Sequence, residues 1–251
     1  MKKTLIAAVF SCVGFSAHAA PDIDFSTMTG MGAFNTAQNT SYLYSNIDIT
    51  AWEYLGGGGG TPEDAYTQSG LYLWMRNNTN DHGLGVCSGG AGSANECDGM
   101  STTTTGGGDN NELGNNVSDE VIRLDNQTGQ DWSDVWISSL DSSEKATIYW
   151  TNDEWADLDS LATKITVSAG YWGSTSIVEG SIWSALTGAS NWDLDSQYLF
   201  FRAGGPGAGT DNDYLVWGVS AIPEPETYAM LLAGLGLLGF AARRRKQKQA
   251  A

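Results

Sequence analysis

Short apolar runs separated by polar, glycine-rich stretches set the rhythm of this chain, and few of them recur at helical spacing. Tyr42–Tyr44 and Ile47–Trp52 are rich in β-branched and aromatic residues with partial alternation, and the glycine run 56–60 ends that pattern. Leu71–Met75 is apolar at both parities, which predicts a central strand buried on both faces. Further strands are predicted at Val121–Leu124, Asp134–Ser138, Lys145–Trp150, Lys164–Ser168, Ile177–Trp183, Gln197–Arg202 and Tyr214–Ser220. The polar stretch Leu140–Glu144 between two of these reads as a hairpin turn. Only Trp155–Thr163 carries a helical pattern, with Asp153 placed as its N-cap. About nine short strands at near-regular spacing predict an all-β fold. The expected architecture is an antiparallel β-sandwich of jelly-roll or carbohydrate-binding-module type, with a closed barrel or a β-solenoid as alternatives.

Two longer apolar runs lie outside that rhythm. Residues 1–19 join Lys2 and Lys3 to an apolar stretch, Leu5–Phe15, and end Ala17-His18-Ala19. This is the pattern of a secretory signal peptide, handled by the Sec translocon and cut by signal peptidase after Ala19. Cys12 leaves with it, because Val9-Phe10-Ser11 ahead of it does not fit a lipoprotein signal. At the other end, residues 222–248 place Pro223, Glu224 and Pro225 before a 15-residue apolar run, Tyr228–Ala242, followed by a basic cluster at 243–248. As a helix that run reaches about 22 Å, short of a hydrocarbon core of about 30 Å. It is therefore expected to be a single short transmembrane helix in the inner membrane, held on the cytoplasmic side by Arg243, Arg244, Arg245 and Lys246. Between the two signals, residues 20–221 form an exported domain long enough to bury one sizeable core.

Removing the signals sharpens the charge picture. The whole chain carries −17, but seven of its 12 cations lie in the terminal segments. The domain keeps Arg76, Arg123, Lys145, Lys164 and Arg202 against 27 carboxylates, a balance of −22. Such a surface repels nucleic acid and anionic lipid, and favours cations, neutral sugars and solubility. All ten tryptophans lie in the domain, which marks it as a secreted β-rich unit and not a disordered chain.

The side-chain inventory narrows the chemistry. His82 is the one histidine left after signal removal, in the Asn/Asp/Gly-rich stretch 77–85, which makes a histidine-centred triad or a multi-histidine zinc site a poor fit. No catalytic residue is singled out, and the domain is not expected to be an enzyme. The alternative is a secreted carbohydrate-active hydrolase, which needs only two carboxylates at a suitable separation. Cys87 and Cys97 are the remaining cysteines, bound for an oxidising compartment, and are expected to pair in a local disulfide worth about 2–3 kcal/mol.

Calcium is the one cofactor the sequence suggests. Counting Asp109 as position one puts Asn111 at three, Gly114 at six and Glu120 at twelve, a calcium-loop spacing. Leu113 at five cannot ligate and a glycine run stands where a helix should precede, so an EF-hand does not fit. A different calcium site drawing on Asp109, Glu112, Asp119 and Glu120 competes with a plain solvated acidic loop, and Asp211-Asn212-Asp213 is a second such cluster. Most tryptophans belong in the core, whereas Trp155, Trp172 and Trp192 lie near segment ends, where an indole face can stack on a sugar ring.

The order Pro-Glu-Pro, apolar helix and arginine cluster over Pro223–Lys246 resembles the PEP-CTERM sorting signal, processed by the exosortase family of membrane cysteine proteases in Gram-negative bacteria. The resemblance implies cleavage near Pro223–Pro225 and transfer of the upstream domain to the cell surface or extracellular matrix. The stretch from about Leu71 to Trp217 also resembles a subfamily of exosortase-dependent surface proteins. That likeness lies in residues 83–88 (GLGVCS), 111–115 (NELGN), 119–125 (DEVIRLD) and 136–141 (WISSLD), with departures at Gly114 and Asn126. It implies display alongside an exopolysaccharide or biofilm programme, as a non-catalytic structural or adhesive partner of the polysaccharide.

Overall fold

The computed structural model describes residues 21–28, 41–56, 61–68, 71–78, 81–88, 113–114, 119–127, 129, 131–141, 144–168, 178–182, 185–186, 195–203, 212–222 and 234–235. In chain order the strands are β1 (Ile23–Asp24), β2 (Ser41–Tyr44), β3 (Ile47–Tyr54), β4 (Tyr66–Thr67), β5 (Leu71–Asn78), β6 (Asp81–Ser88) and β7 (Leu113–Gly114). They continue with β8 (Glu120–Asn126), β9 (Asp131–Leu140), β10 (Lys145–Thr151), β11 (Lys164–Ser168), β12 (Val178–Ser181), β13 (Tyr198–Arg202) and β14 (Asp213–Ile222). All pairings among them are antiparallel. One sheet runs β12-β9-β14-β6-β5, with β1 and β7 also on β14, and the other runs β11-β10-β13-β8-β3-β2, with β4 also on β3.

The two sheets share an apolar core, so the fold is all-β and sandwich-like. Ile49, Ile122, Leu124, Ile148, Trp150, Leu199 and Phe201 enter it from one sheet, and Leu73, Leu84, Val86, Val135, Ile137, Val216 and Val219 from the other. Each such side chain contributes about 1.5–3 kcal/mol by leaving water. Strand alternation explains why β13 is buried at all five positions. Leu199 and Phe201 face the shared core, while Tyr198 and Phe200 face a second cluster with Tyr54, Tyr66, Val121, Tyr149, Ala156 and Leu158. The second sheet is thus covered on its outer side as well.

Three local expectations change. The polar stretch at 140–144 does not close a hairpin, because β9 pairs with β12 and β14 while β10 pairs with β11 and β13 in the other sheet. The chain crosses the sandwich there, through Ser139 at φ 62° and a corner in which Glu144 accepts from the Asp141 backbone N–H. Leu71–Met75 belongs to β5, which pairs only with β6 among the described strands and so stands at an edge. Trp155–Thr163 forms turns and no helix. Asp153 accepts from Trp155 N at 3.0 Å, Asp157 Oδ1 from Asp159 N at 3.1 Å, and these side chains divert backbone donors from a helical ladder.

The stretch around His82 also proves to be strand. Its glycines suggest a loop, but Gly83 sits at φ 136°, and a Cβ there would meet the Val216 carbonyl at 2.6 Å. Close contact with β14, not flexibility, calls for glycine. Gly218 does the same for the start of the domain, where a Cβ would lie 2.2 Å from Ile23 O. The first and last strands of the exported domain therefore lie side by side, Ile23 opposite Val219.

Candidate functional site

The outer face of the second sheet carries the most developed side-chain arrangement among the described residues. Arg202, at the end of β13, is buried and gives Asp119 two hydrogen bonds from Nε at 3.0 Å and a further one from Nη2. Its Nη1 reaches Asp159 at 2.9 Å, and its guanidinium lies 4.5 Å from the centre of the Tyr54 ring. Burial opposes the Arg202 charge, but the hydrogen bonds it donates to two carboxylates outweigh that and hold it above its ordinary pKa. Arg123, in β8, stands among the rings of Trp52, Trp155 and Tyr198 at 5.3, 5.1 and 5.7 Å, and pairs with Glu154 Oε1 at 3.1 Å.

These contacts fasten the turn segment 152–163 onto the sheet. Tyr54 Oη donates to Asp157 Oδ1 and Tyr66 Oη to Ala156 O, each at 2.5 Å. Burial, then the bond to Asp157, pushes the Tyr54 hydroxyl above its usual range, whereas the same bond holds the Asp157 carboxyl below its own. Both groups stay in the protonation state that keeps the bond.

Between this segment and the 3-10 helix Pro62–Ala65 opens a cleft of about 510 Å3. Trp155, Leu161 and Pro62 supply apolar lining, and Asp64, Asp153 and Asp157 the charged lining. Trp155 is half-buried, held edge-on by Trp52 at 5.1 Å and in a tilted contact by Tyr66 at 5.9 Å. Asp64 accepts from Thr61 N at 2.7 Å and Thr61 Oγ1 at 3.0 Å, a capping box that fixes the far wall. None of the described lining residues is a lysine or arginine. The cleft therefore offers hydrogen-bond acceptors around one oriented indole.

Of the three sugar-stacking tryptophans expected from the sequence, Trp155 lines this cleft; Trp172 and Trp192 lie outside the described residues. Asp119 is engaged by Arg202 and Glu120 is buried in β8, while Asp109 and Glu112 lie outside the described residues. Among the described residues no group of three or more His, Cys, Asp or Glu side chains is placed to hold a metal ion. Asn212 of the second acidic cluster accepts from Lys145 N. Cys87 belongs to β6 through its backbone, and its side chain and Cys97 are outside the description, as are the signal peptide, Pro223, Glu224, Pro225, Arg243, Arg244, Arg245 and Lys246. Of the apolar run 228–242 only Gly234 and Leu235 are described, both helical and exposed. Among the described residues no helix is long and apolar enough to cross a membrane.

Sequence reasoning missed the walls of the cleft. Thr61-Pro62-Glu63-Asp64 was the available signal for one, a capping-box spacing after a glycine run. Aspartates at 153 and 157 flanking Trp155 were the signal for the other.

Residues 221–246 match the family model described as the PEP-CTERM protein-sorting motif. The chain carries that motif, which makes it an exported protein sorted by an exosortase, anchored in the membrane and then processed. No curated protein and no solved structure matches the chain.

Proposed function

We propose that this chain is a non-catalytic structural or adhesive component of an extracellular polysaccharide matrix, displayed at the surface of a Gram-negative cell once the exosortase has processed its tail. The sorting match carries the reading: it starts at Ala221, inside the last strand, so that the whole acidic sandwich is cargo. A carbohydrate-binding type of sandwich suits that cargo. Charge supports the same reading, because a domain at −22 stays soluble and avoids nucleic acid and anionic lipid. The Tyr54 hydrogen bond keeps Asp157 ionised, which unsuits that residue to be the protonated acid of a glycosidase.

The test follows the protein to its destination. Replacing Pro223, Glu224 and Pro225 by alanine should leave the chain in the inner membrane, whereas the parent reaches the surface and cofractionates with the cell's own exopolysaccharide. Surface delivery of the variant would refute the sorting role of the motif. Failure of the parent to cofractionate, or shortened glycan in its presence, would refute the matrix role.

A further inference from the structure

The cleft beside Trp155 has a composition that selects among glycans. Resting on the matrix reading above, we infer that it binds a stretch of uncharged polysaccharide, with the Trp155 indole against the apolar face of a sugar ring and Asp153 and Asp157 accepting from its hydroxyls. The volume of about 510 Å3 lies inside the range of about 300–1,000 Å3 usual for small-ligand sites. Its carboxylates can only accept, so a ligand must bring donors, which a hydroxyl-rich chain does at every ring. A polyuronate or sulfated chain would add negative charge to a cleft that already holds Asp64, Asp153 and Asp157 and no described cation.

The indole is oriented before any ligand arrives. Trp52 and Tyr66 hold it from two sides, and the Arg123 guanidinium lies 5.1 Å from its centre, so little side-chain freedom is left to lose on binding. The carboxylates are equally fixed, Asp153 by the Trp155 backbone N–H and Asp157 by Tyr54 Oη. One aromatic platform between carboxylates fits a neutral pyranose, and no described lining residue offers a cation to an anionic one.

Two variants separate the cleft from the fold. Ser160→Trp starts from an exposed lining position and fills the space, while Trp155→Ala removes the platform together with some packing. The full-length chain in detergent is titrated against a mixed-linkage β-glucan, a galactomannan and dextran, with alginate and a glucosamine oligomer as charged counterparts. The expected result is that at least one neutral polymer binds, that both variants lose tenfold or more, that Ser160→Trp melts like the parent, and that alginate does not bind. Parental affinity in Ser160→Trp overturns the cleft assignment, and binding of the charged polymers alone overturns the selectivity. If no purified polymer binds while the protein still cofractionates with the cell's exopolysaccharide, the inference falls and the matrix reading stands.

Discussion

Asp48 and Asp125 face each other across β3 and β8, and the two carboxylates are not equally provided for. Asp125 accepts from Gln127 Nε2 at 2.5 Å and from Gln197 Nε2 at 3.0 Å. Asp48 has its pKa raised, first by burial and then by the charge of Asp125, with Arg123 pulling the other way. A carboxyl whose pKa is raised on folding is a cost above that pKa, and the cost is relieved as the pH falls and the folded state takes the proton first. Asp48→Asn should therefore raise the urea midpoint at pH 7. The gain should be about 0.2–1 kcal/mol, the scale of a like-charge cross-strand pair screened by solvent. It should shrink as the pH drops towards 4 and vanish once Asp48 is protonated in both states. A gain independent of pH would show that charge is not its source. None of this was legible beforehand, because strand patterning gives the faces of Asp48 and Asp125 but not their register. Trp155 was legible as an indole near a segment end, whereas its orientation depends on Trp52 and Tyr66, distant in sequence.

At the scale of elements, the turn segment 152–163 decides what the outer face of the second sheet becomes. Its WADLDSLAT pattern has helical spacing, yet Asp153 and Asp157 satisfy backbone donors locally and the sheet supplies the remaining hold through Arg202, Arg123 and Tyr54. The holds differ in strength. Arg202–Asp119 is buried on the arginine side and forked, whereas the Asp159 side chain is half exposed. Arg202→Met should cost about 2–3 kcal/mol, below the roughly 3–5 kcal/mol of breaking a fully buried pair because its partners reach solvent. Asp159→Asn should cost less than about 1 kcal/mol. Urea midpoints of the two variants check this, and equal costs would mean that Asp119 is not the main partner. The failed hairpin has the same root. Polar residues at 141–144 predict a reversal, but the sequence of β9 and β10, each buried on both faces, cannot say whether the chain returns beside itself or crosses to the other sheet. Strand existence was readable from runs such as Tyr198–Arg202; sheet membership was not.

The whole molecule sets an order of events through its last strand. β14 lies between β9 and β6 inside the first sheet, also pairs with β1 and β7, and ends at Ile222, next to the sorting motif. Sheet one cannot close until residue 222 has crossed the membrane, by which time the apolar run 228–242 has reached it. The segment 223–227 between them spans at most about 18 Å when extended, so the sandwich completes within that reach of the apolar run. Its start is drawn to the same place, since Asp22 N donates to Ser220 Oγ at 3.1 Å and Ile23 packs over Gly218. A chain ending at Gly209 lacks the strand that joins β9 to β6 and should be protease-sensitive and lost from the periplasm. A chain ending at Ile222 keeps every described pairing and should fold, resist protease and appear in soluble form, without surface display. Limited proteolysis of both products with fractionation of the cells distinguishes them. A protease-resistant chain ending at Gly209 would show that the sandwich closes without its central strand, and the folding step would then not wait for the tail.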